Sequence, residues 1–283
     1  MTHDESAGYF KLFVNRFITD HAQAFKGKHV VDMPAGTGVT SRVLHEIGAR
    51  VSAFDLFPEY FKVDGLTCQR ADITHGIPLE DASADVVFCQ EGIEHFSDQL
   101  RALKEFNRVL RPGGKLYITT PNYSNLRAKV SHLFAETERF GSMMPPNEMD
   151  SVWMVNTGIS KEFYLGHVFL IGIQKLRVLA KLSGLKIMAL HFEQIKPTSL
   201  LLFPFLYPFI VLFNVLAYWN SMRKKSDVSR EEKREVYREQ LFLNINPKIL
   251  VDGTLFVEFF KECEYGDVAA RLRSVHKSFD VPT

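Results

Sequence analysis

Cysteine is scarce in this chain of 283 residues, which contains only Cys68, Cys89 and Cys263. The three residues are far apart and form no C-x-x-C pair, so a reducing compartment fits them better than a disulfide framework. An excess of charge of one sign is also lacking, because 34 basic and 33 acidic residues give a formal net charge of +1. A protein held mainly by phosphate contacts has a strong basic excess, and no nucleic-acid partner is therefore expected.

The N-terminus lacks the basic start and the apolar run of a secretory signal peptide, since it reads MTHDESAGYFKLF. We therefore expect a cytoplasmic protein. Charged residues are 24% and hydrophobic residues 46% of the chain, and this composition excludes global disorder. Single cores stop growing near ~250–300 residues, so the length suits one α/β core that carries an insertion.

Apolar runs alternate with helical patterns along most of the chain. The runs predict seven strands, at residues 28–32, 51–55, 66–70, 84–89, 115–120, 185–191 and 253–260. Strands that alternate with helices predict a doubly wound, mostly parallel seven-stranded sheet. Residues 1–27 predict an amphipathic helix that lies on the domain or lids it, residues 28–196 and 245–283 form the core, and residues 197–244 are an insertion between the last two strands.

A turn with two glycines follows the first predicted strand, in Asp32-Met-Pro-Ala-Gly-Thr-Gly38. Such a turn lets the backbone approach a ligand, and the next helix offers unpaired N–H groups at its N-terminus. Asp55 ends the second predicted strand, where a carboxylate can accept both hydroxyls of a ribose or cap the strand end. A nicotinamide enzyme should read G-x-G-x-x-G here, and Ser41 stands at its third glycine position.

The turn meets the pattern D-x-G-x-G-x-G except at Pro34, which replaces the first glycine. Asp72 with Ile73, the run VVFCQEGIEHF, and a helix that ends in LRPGG before TTPN follow in order. In these residues, which span 28–122, the chain resembles class I S-adenosylmethionine-dependent methyltransferases, and among them the branch of the ubiquinone-pathway O-methyltransferases. The resemblance implies a Rossmann-like methyltransferase fold, S-adenosylmethionine as the methyl donor, and O-methylation.

The resemblance also implies the residues that bind the donor. Asp72 matches the family acid that takes the adenine amino group, and Ile73 matches the neighbour that frames the ring. Proline donates no backbone hydrogen bond, so contacts to the methionine part are expected from residues 35–38 rather than from Pro34. The full implied set is Asp32, Ala35, Gly36, Thr37, Gly38, Asp55, Leu56, Asp72, Ile73 and Gln90.

Two carboxylates and an imidazole follow the fourth predicted strand, in Glu91-Gly-Ile-Glu94-His95. At the start of a helix these positions share one face, and such ligands suit Mg²⁺ or Mn²⁺. The group resembles the metal-binding run of ubiquinone-pathway and small-RNA 2′-O-methyltransferases, which makes His167 a candidate further ligand. The alternative is that His95 acts without a metal, as the acid/base or as an orienting group, and that His167 is an ordinary loop histidine.

Residues 197–222 contain no charged side chain, and this segment exceeds the ~20 apolar residues that cross a bilayer. Pro204 and Pro208 interrupt it, and both flanks must return to one domain, which favours a monotopic or re-entrant helical hairpin over residues 198–222. The following basic residues suit anionic headgroups, so we expect membrane contact at the cytoplasmic face of the inner membrane. Alternatively, an amphipathic helix over residues 226–244 covers the segment, which is buried in a homo-oligomer interface or in an acceptor tunnel.

An apolar insertion implies a partly apolar acceptor, either a small molecule or a lipid-linked compound. Two other functions remain open. A nicotinamide-dependent oxidoreductase explains the glycine turn and Asp55, but it leaves Asp72 and the E-x-x-E-H group without a role. A non-catalytic, membrane-associated nucleoside-binding module needs no acid/base, yet Glu91, Glu94 and His95 are all present. We therefore expect a catalytic protein.

Overall fold

The structure, a computed structural model, describes residues 3–137, 145–147, 152–154, 163–166, 168–192, 194–224 and 228–275. Its helices are α1 His3–Asp20, α2 Ala22–Phe25, α3 Val39–Glu46, α4 Gln99–Val109, α5 Leu126–Ala135, α6 Ile173–Leu182, α7 Pro197–Arg223, α8 Arg230–Ile245, α9 Pro247–Val251 and α10 Val268–Val275. Its strands are β1 His29–Asp32, β2 Arg50–Asp55, β3 Cys68–Arg70, β4 Ala84–Gln90, β5 Leu110–Pro121, β6 Val152–Met154, β7 Phe163–Leu165, β8 Leu185–His191 and β9 Thr254–Lys261.

Seven strands form one sheet in the order β3-β2-β1-β4-β5-β9-β8. The first five strands run parallel, and β9 is antiparallel to both of its neighbours. This topology confirms the predicted doubly wound, mostly parallel seven-stranded sheet. β1 lies between β2 and β4, so the strand order reverses beside β1. Open parallel sheets bind their ligands at the carboxyl ends of the strands next to such a reversal. β6 and β7, which the sequence patterns did not predict, pair antiparallel in a second, two-stranded sheet.

Helices cover both faces of the sheet. On one face, Leu103 and Phe106 of α4 and Leu176 of α6 are fully buried in the larger part of the core. On the other face, Phe17 of α1 lies 5.6 Å from the Tyr117 ring and 5.1 Å from the Phe256 ring. The N-terminal helix therefore packs on the sheet through its apolar side.

The insertion between β8 and β9 differs from the predicted hairpin within residues 198–222. α7 is one helix of 27 residues that continues through Pro204 and Pro208, and the chain reverses only after Lys224. Both prolines are exposed and lie four residues apart on one side of α7. The helical hydrogen bonds that their missing N–H groups would donate are therefore lost on the outer side only. α8 then returns along α7, as the alternative of a covering helix predicts.

Candidate functional site

A cavity of about 450 Å³ opens at the carboxyl ends of β1, β2 and β4. Glu91 and His95 line it together with Pro34, Thr40 and Phe96. Thr37, Gly38 and Glu94 do not contribute to its lining. Eight of the ten residues expected to bind the donor also line it: Asp32, Ala35, Gly36, Asp55, Leu56, Asp72, Ile73 and Gln90.

The two glycines of the turn after β1 have different structural roles. Gly36 has a φ of +53°, and a Cβ added there meets no described atom within 4 Å, so this glycine leaves the backbone open to a ligand. Gly38 has a φ of +82° and is the N-cap of α3, and a Cβ there would collide with the side chains of Phe61 and Val63. Gly38 therefore shapes the turn without lining the cavity.

Asp32 and Asp55 are buried and held by hydrogen bonds from neighbouring groups. Ser41 Oγ donates to Asp32 Oδ2 at 2.6 Å, which ties the start of α3 to the end of β1 and explains a hydroxyl where a dinucleotide motif has glycine. The backbone N–H groups of Gly36 and Phe57 donate to the two carboxylate oxygens of Asp55, at 2.7 and 2.8 Å. Each oxygen of Asp55 keeps a second lone pair, so the carboxylate is oriented and can still accept from hydroxyl groups.

Asp72 is kept ionised by its neighbours. Burial acts to raise the pKa of Asp72, but hydrogen bonds from the Thr74 hydroxyl and N–H and from His75 outweigh it and hold the pKa below its ordinary value. The two groups of Thr74 donate to Asp72 Oδ1 at 2.7 and 2.8 Å, and His75 Nδ1 lies 3.1 Å from Oδ2. A charged carboxylate at the cavity wall is a strong acceptor for an amino group.

Thr40 and Asn15, which the sequence did not indicate as site residues, connect the cavity to the N-terminal helix. Gln90 Nε2 donates to Thr40 Oγ1 at 2.6 Å, and Thr40 Oγ1 lies 3.4 Å from Asn15 Oδ1 on α1. Since Asn15 Oδ1 can only accept, the Thr40 hydroxyl donates to it and accepts from Gln90. No sequence motif pointed to Asn15, because its link to Gln90 exists only after α1 packs against α3.

The predicted helical face of Glu91, Glu94 and His95 is wrong. Glu91 has a left-handed φ of +45°, and the chain then makes a single 3-10 turn over Ile93–His95. A Cβ at Gly92 would overlap the Pro34 ring and approach Cys89 Sγ at 3.2 Å, so the backbone at Gly92 lies directly against the glycine turn. This close packing sets the sharp bend that replaces the first turn of a helix.

The bend separates the two carboxylates. Glu94 is fully buried beneath the cavity, and Thr120 Oγ1 donates to Glu94 Oε2 at 3.0 Å. Glu91 and His95 line the cavity, and Glu94 does not. Within the described ranges, no group of three or more His, Cys, Asp or Glu side chains is placed to hold a metal ion. Glu91, Glu94 and His95 therefore do not fit a shared Mg²⁺ or Mn²⁺ site, and His167 lies outside the described residues.

His95 is oriented by the segment that follows β7. His95 Nδ1 lies 3.2 Å from the carbonyl oxygen of Gly166. A carbonyl only accepts, so in the neutral ring Nδ1 carries the hydrogen and Nε2 carries the lone pair. Gln99 Nε2 donates to the carbonyl of Phe169 at 2.6 Å, and the Phe169 N–H donates to the carbonyl of Glu94 at 3.3 Å. These bonds fix Phe169, and the Val168 N–H donates to the Gly166 carbonyl at 2.8 Å.

Comparison with known proteins shows a similarity to methyltransferases. Residues 31–118 match the family model described as a methyltransferase domain. The chain is 29% identical over 161 residues to the ubiquinone biosynthesis O-methyltransferase of Xanthomonas axonopodis pv. citri, which is 50% of this chain and 67% of that protein. It is 34% identical over 115 residues to the enzyme of the same description from Idiomarina loihiensis, which is 38% of this chain and 47% of that protein.

A solved structure shares the fold. A SAM-dependent methyltransferase from Archaeoglobus fulgidus aligns with 89% of this chain and 94% of its own chain, at 15% identity and a TM-score of 0.51. At this identity, the likeness concerns the arrangement of the strands and helices alone. The family match covers residues 31–118, which include every residue that lines the cavity.

Proposed function

We propose that this chain, whose residues 31–118 match a methyltransferase domain, is an S-adenosylmethionine-dependent enzyme that methylates an oxygen atom of a partly apolar acceptor. The observation that carries the proposal is that the oriented carboxylates of Asp55 and Asp72 line the same cavity as His95. The description of the two curated relatives as O-methyltransferases supports oxygen as the acceptor atom.

The donor side of the cavity suits an adenosine-bearing ligand. We assign the ribose hydroxyls to Asp55, because two backbone N–H groups fix its carboxylate and leave lone pairs for the hydroxyls. We assign the adenine amino group to the ionised Asp72, with Ile73 against the ring. The open backbone at Gly36 allows a close approach of the methionine part. The remaining donor contacts come from Asp32, Ala35, Leu56 and Gln90.

When bound, S-adenosylmethionine supplies a methyl group that its positive sulfur already activates. The protein therefore has two tasks, which are to orient the acceptor and to remove the proton of its hydroxyl group. His95 is the general base, and Nε2 takes the proton because Nδ1 is held on the Gly166 carbonyl. Glu91 lines the same cavity and orients the acceptor, whereas the buried Glu94 supports the turn that carries His95.

The acceptor in this proposal is a small molecule with an apolar or lipid-linked part. An outward apolar face on α7 supports this assignment, because contact with a membrane at its cytoplasmic side brings such a molecule to the enzyme. The description of the relatives as ubiquinone biosynthesis enzymes agrees with a lipid-linked acceptor. The proposal assigns no step to a metal ion, since the described members of the E-x-x-E-H group do not share a site.

Transfer of an isotope-labelled methyl group tests the proposal. The full chain is incubated with labelled S-adenosylmethionine and a lipid and metabolite extract, and the products are separated and identified by mass spectrometry. We expect the label in an alkali-stable methyl ether of an apolar compound. Label on nitrogen or carbon only, or only in water-soluble products without an apolar part, would contradict the proposed acceptor.

A further inference from the structure

We propose that α7 docks flat in the headgroup region of an anionic bilayer, with α8 behind it, and does not cross the membrane. The proposal deepens the membrane part of the proposed function, on which it rests, and it is independent of the methyl-transfer chemistry. It depends on three properties of the helix pair: the composition of the outer face of α7, the attachment of both ends of α7 to the protein, and the charges at its C-terminal end.

The outer face of α7 is apolar over most of its length. Leu201, Phe205 and Phe213 expose 70%, 68% and 65% of their surface. Exposed positions recur every three or four residues, so they lie on one side of the helix. From residue 201 to residue 219 this side is about 27 Å long at 1.5 Å per residue. A solvent-facing helix side normally carries polar residues, so this side is expected to contact an apolar environment.

The exposed positions between residues 200 and 217, all of them described, carry no polar side chain. Within this stretch, Asn214 faces the protein instead, and its Oδ1 accepts from Asn244 Nδ2 at 2.7 Å. A protein interface has a polar rim with hydrogen bonds, and this face offers no group for one. A lipid surface requires none, and we therefore assign lipid as the occupant.

Both ends of α7 are fixed to the rest of the protein. At its start, the Lys196 N–H donates to the Val251 carbonyl at 2.8 Å, and the Arg127 N–H donates to Ser199 Oγ at 3.1 Å. At its end, Lys233 Nζ of α8 donates to the carbonyl of Lys224 at 2.5 Å. α8 thus runs antiparallel along the second half of α7 and carries charged residues beside it. A crossing orientation would take these charges into the hydrocarbon core, which is costly, whereas a flat orientation leaves them in water.

Basic residues lie at the C-terminal end of α7 and at the start of α8. Residues 223–238 contain seven Lys and Arg and four Asp and Glu residues. Arg223 and Lys224 are exposed where the apolar face ends, and Trp219, which is 55% exposed, lies one turn before them. Tryptophan beside basic residues is typical of the boundary between headgroups and acyl chains, and the cations attract anionic lipids.

The helix pair α7 and α8 is attached at the edge of the sheet that holds the cavity. Asn122, directly after β5, donates from Nδ2 to the carbonyls of Ile249 and Asp252, at 2.7 and 2.9 Å. These residues lie beside the start of α7, and β5 is parallel to β4, whose carboxyl end borders the cavity. On α5, which contacts α7, Leu133 and Phe134 are 77% and 71% exposed. Docking through α7 therefore brings this edge of the enzyme close to the lipid surface.

Vesicle flotation tests the contact. The full chain is mixed with vesicles of phosphatidylcholine and phosphatidylglycerol in a 3:1 ratio, chosen as about one quarter anionic lipid. We expect the wild type to float with the vesicles, and we expect a variant with Phe205→Asn, Phe209→Asn and Phe213→Asn to bind at least tenfold more weakly. The matched control replaces three exposed apolar residues elsewhere, with Leu12→Asn, Val178→Asn and Leu272→Asn, and keeps the binding of the wild type.

Calorimetry with S-adenosylmethionine accompanies flotation and separates a failure of this inference from a failure of the proposed function. Equal donor binding by all three proteins shows that each is folded. Failure of the wild type to float, or equal flotation of the outer-face variant, overturns the inference. Light scattering provides a third outcome. If the wild type is a dimer and the outer-face variant is a monomer that binds vesicles as well as the wild type does, the inference is overturned.

The depth of two positions distinguishes flat docking from crossing. Trp219 in the wild type is compared with a tryptophan placed at the other end of the face, by Leu201→Trp in a Trp219→Phe background, and Trp153 is common to both. Lipids brominated near the headgroup or near the bilayer centre act as quenchers. A flat helix predicts equal quenching patterns, strongest for the shallow bromines. A pattern in which one position is shallow and the other is deep or on the opposite side would overturn the inference.

Discussion

Asp72 shows how a short stretch of backbone prepares one side chain for a ligand. Thr74 donates twice to the carboxylate and His75 approaches its other oxygen, so the pKa of Asp72 is held below its ordinary value although burial acts to raise it. The position of this acid was expected from the family resemblance. The hydrogen bonds that keep it charged were not, because the sequence does not specify the direction of the Thr74 side chain.

Replacement of this acid should weaken donor binding. Asp72→Asn removes the charge-assisted hydrogen bond, which is worth ~1.5–3 kcal/mol, so we expect the Kd for S-adenosylmethionine to rise by roughly 10- to 100-fold. Calorimetry measures this Kd, and Glu80→Gln, a carboxylate-to-amide change outside the cavity, serves as the control. Because the folded-state pKa of Asp72 is lowered, the wild type should keep its affinity above the ordinary pKa of an aspartate and lose it as the pH falls through the lowered value. An unchanged Kd in Asp72→Asn would show that the adenine amino group binds elsewhere.

The proposed role of His95 as the general base is one that the affinity for the donor does not measure. We expect His95→Ala to reduce turnover by ~10²–10⁴-fold, which is the usual contribution of general acid–base catalysis, with the Kd for the donor unchanged. Single-turnover rates and calorimetry on the same preparation give both quantities, and His45→Ala on the exposed side of α3 is the control. Equal losses of turnover and donor binding would instead point to a structural role for His95.

The backbone at Gly92 packs directly against the ring of Pro34. A Cβ at Gly92 overlaps the Pro34 ring, so Gly92→Ala should cost ~1–3 kcal/mol of unfolding free energy and weaken donor binding. Pro34→Gly restores the space, and the double variant should recover both quantities. Denaturant unfolding and calorimetry provide the double-mutant cycle, with Gly266→Ala, where a Cβ meets no described atom within 4 Å, as the control. Additive losses would contradict direct contact as the cause.

At the scale of elements, predictions succeed where one periodic pattern decides the structure. Six of the seven strands of the sheet were predicted within two residues at each end, because their apolar spacing has no competing signal, whereas β5 begins five residues before its predicted start. The helix expected at Glu91 failed, since the contact of Gly92 with Pro34 is made between segments that are distant in sequence. α7 was expected to break at two prolines, yet it continues because both prolines face outward.

A group of polar side chains around the buried Glu258 joins β5, β8 and β9. Glu258 Oε1 lies 2.9 Å from Lys115 Nζ, and Oε2 lies 3.2 Å from His191 Nε2. The hydrogen bond from His191, followed by that from Lys115, lowers the pKa of Glu258 from its ordinary value to about 2, although burial acts to raise it.

The lowered pKa predicts an acid-dependent contribution to stability. A depressed carboxylate stabilises the fold above its unfolded-state pKa and loses this effect as the pH falls toward its folded-state value. We expect Glu258→Gln to lower the unfolding free energy by ~3 kcal/mol near neutral pH, at ~1.4 kcal/mol per unit of pKa, and by progressively less between about pH 4.5 and 2. Denaturant melts across this range measure the difference, and a constant difference at every pH would contradict the cause given.

At the scale of the whole molecule, the sheet places its chemistry at one edge. The segments at the carboxyl ends of β1, β2 and β4 supply both the proposed donor contacts and His95, and the end of β5 anchors the insertion through Asn122. Topology and motif spacing made this edge predictable from the sequence. The link from Asn15 to Gln90 and the burial of Glu94 depend on packing between distant segments, so no local pattern contained them.

The measurement that tests the account most directly is calorimetry of the unmodified full chain with S-adenosylmethionine, its demethylated product and NAD in separate titrations. The account predicts one saturable site for the two adenosyl ligands, weakened in Asp72→Asn, and no heat of binding with NAD. A folded protein that binds NAD with one-to-one stoichiometry and takes up neither adenosyl ligand would contradict it.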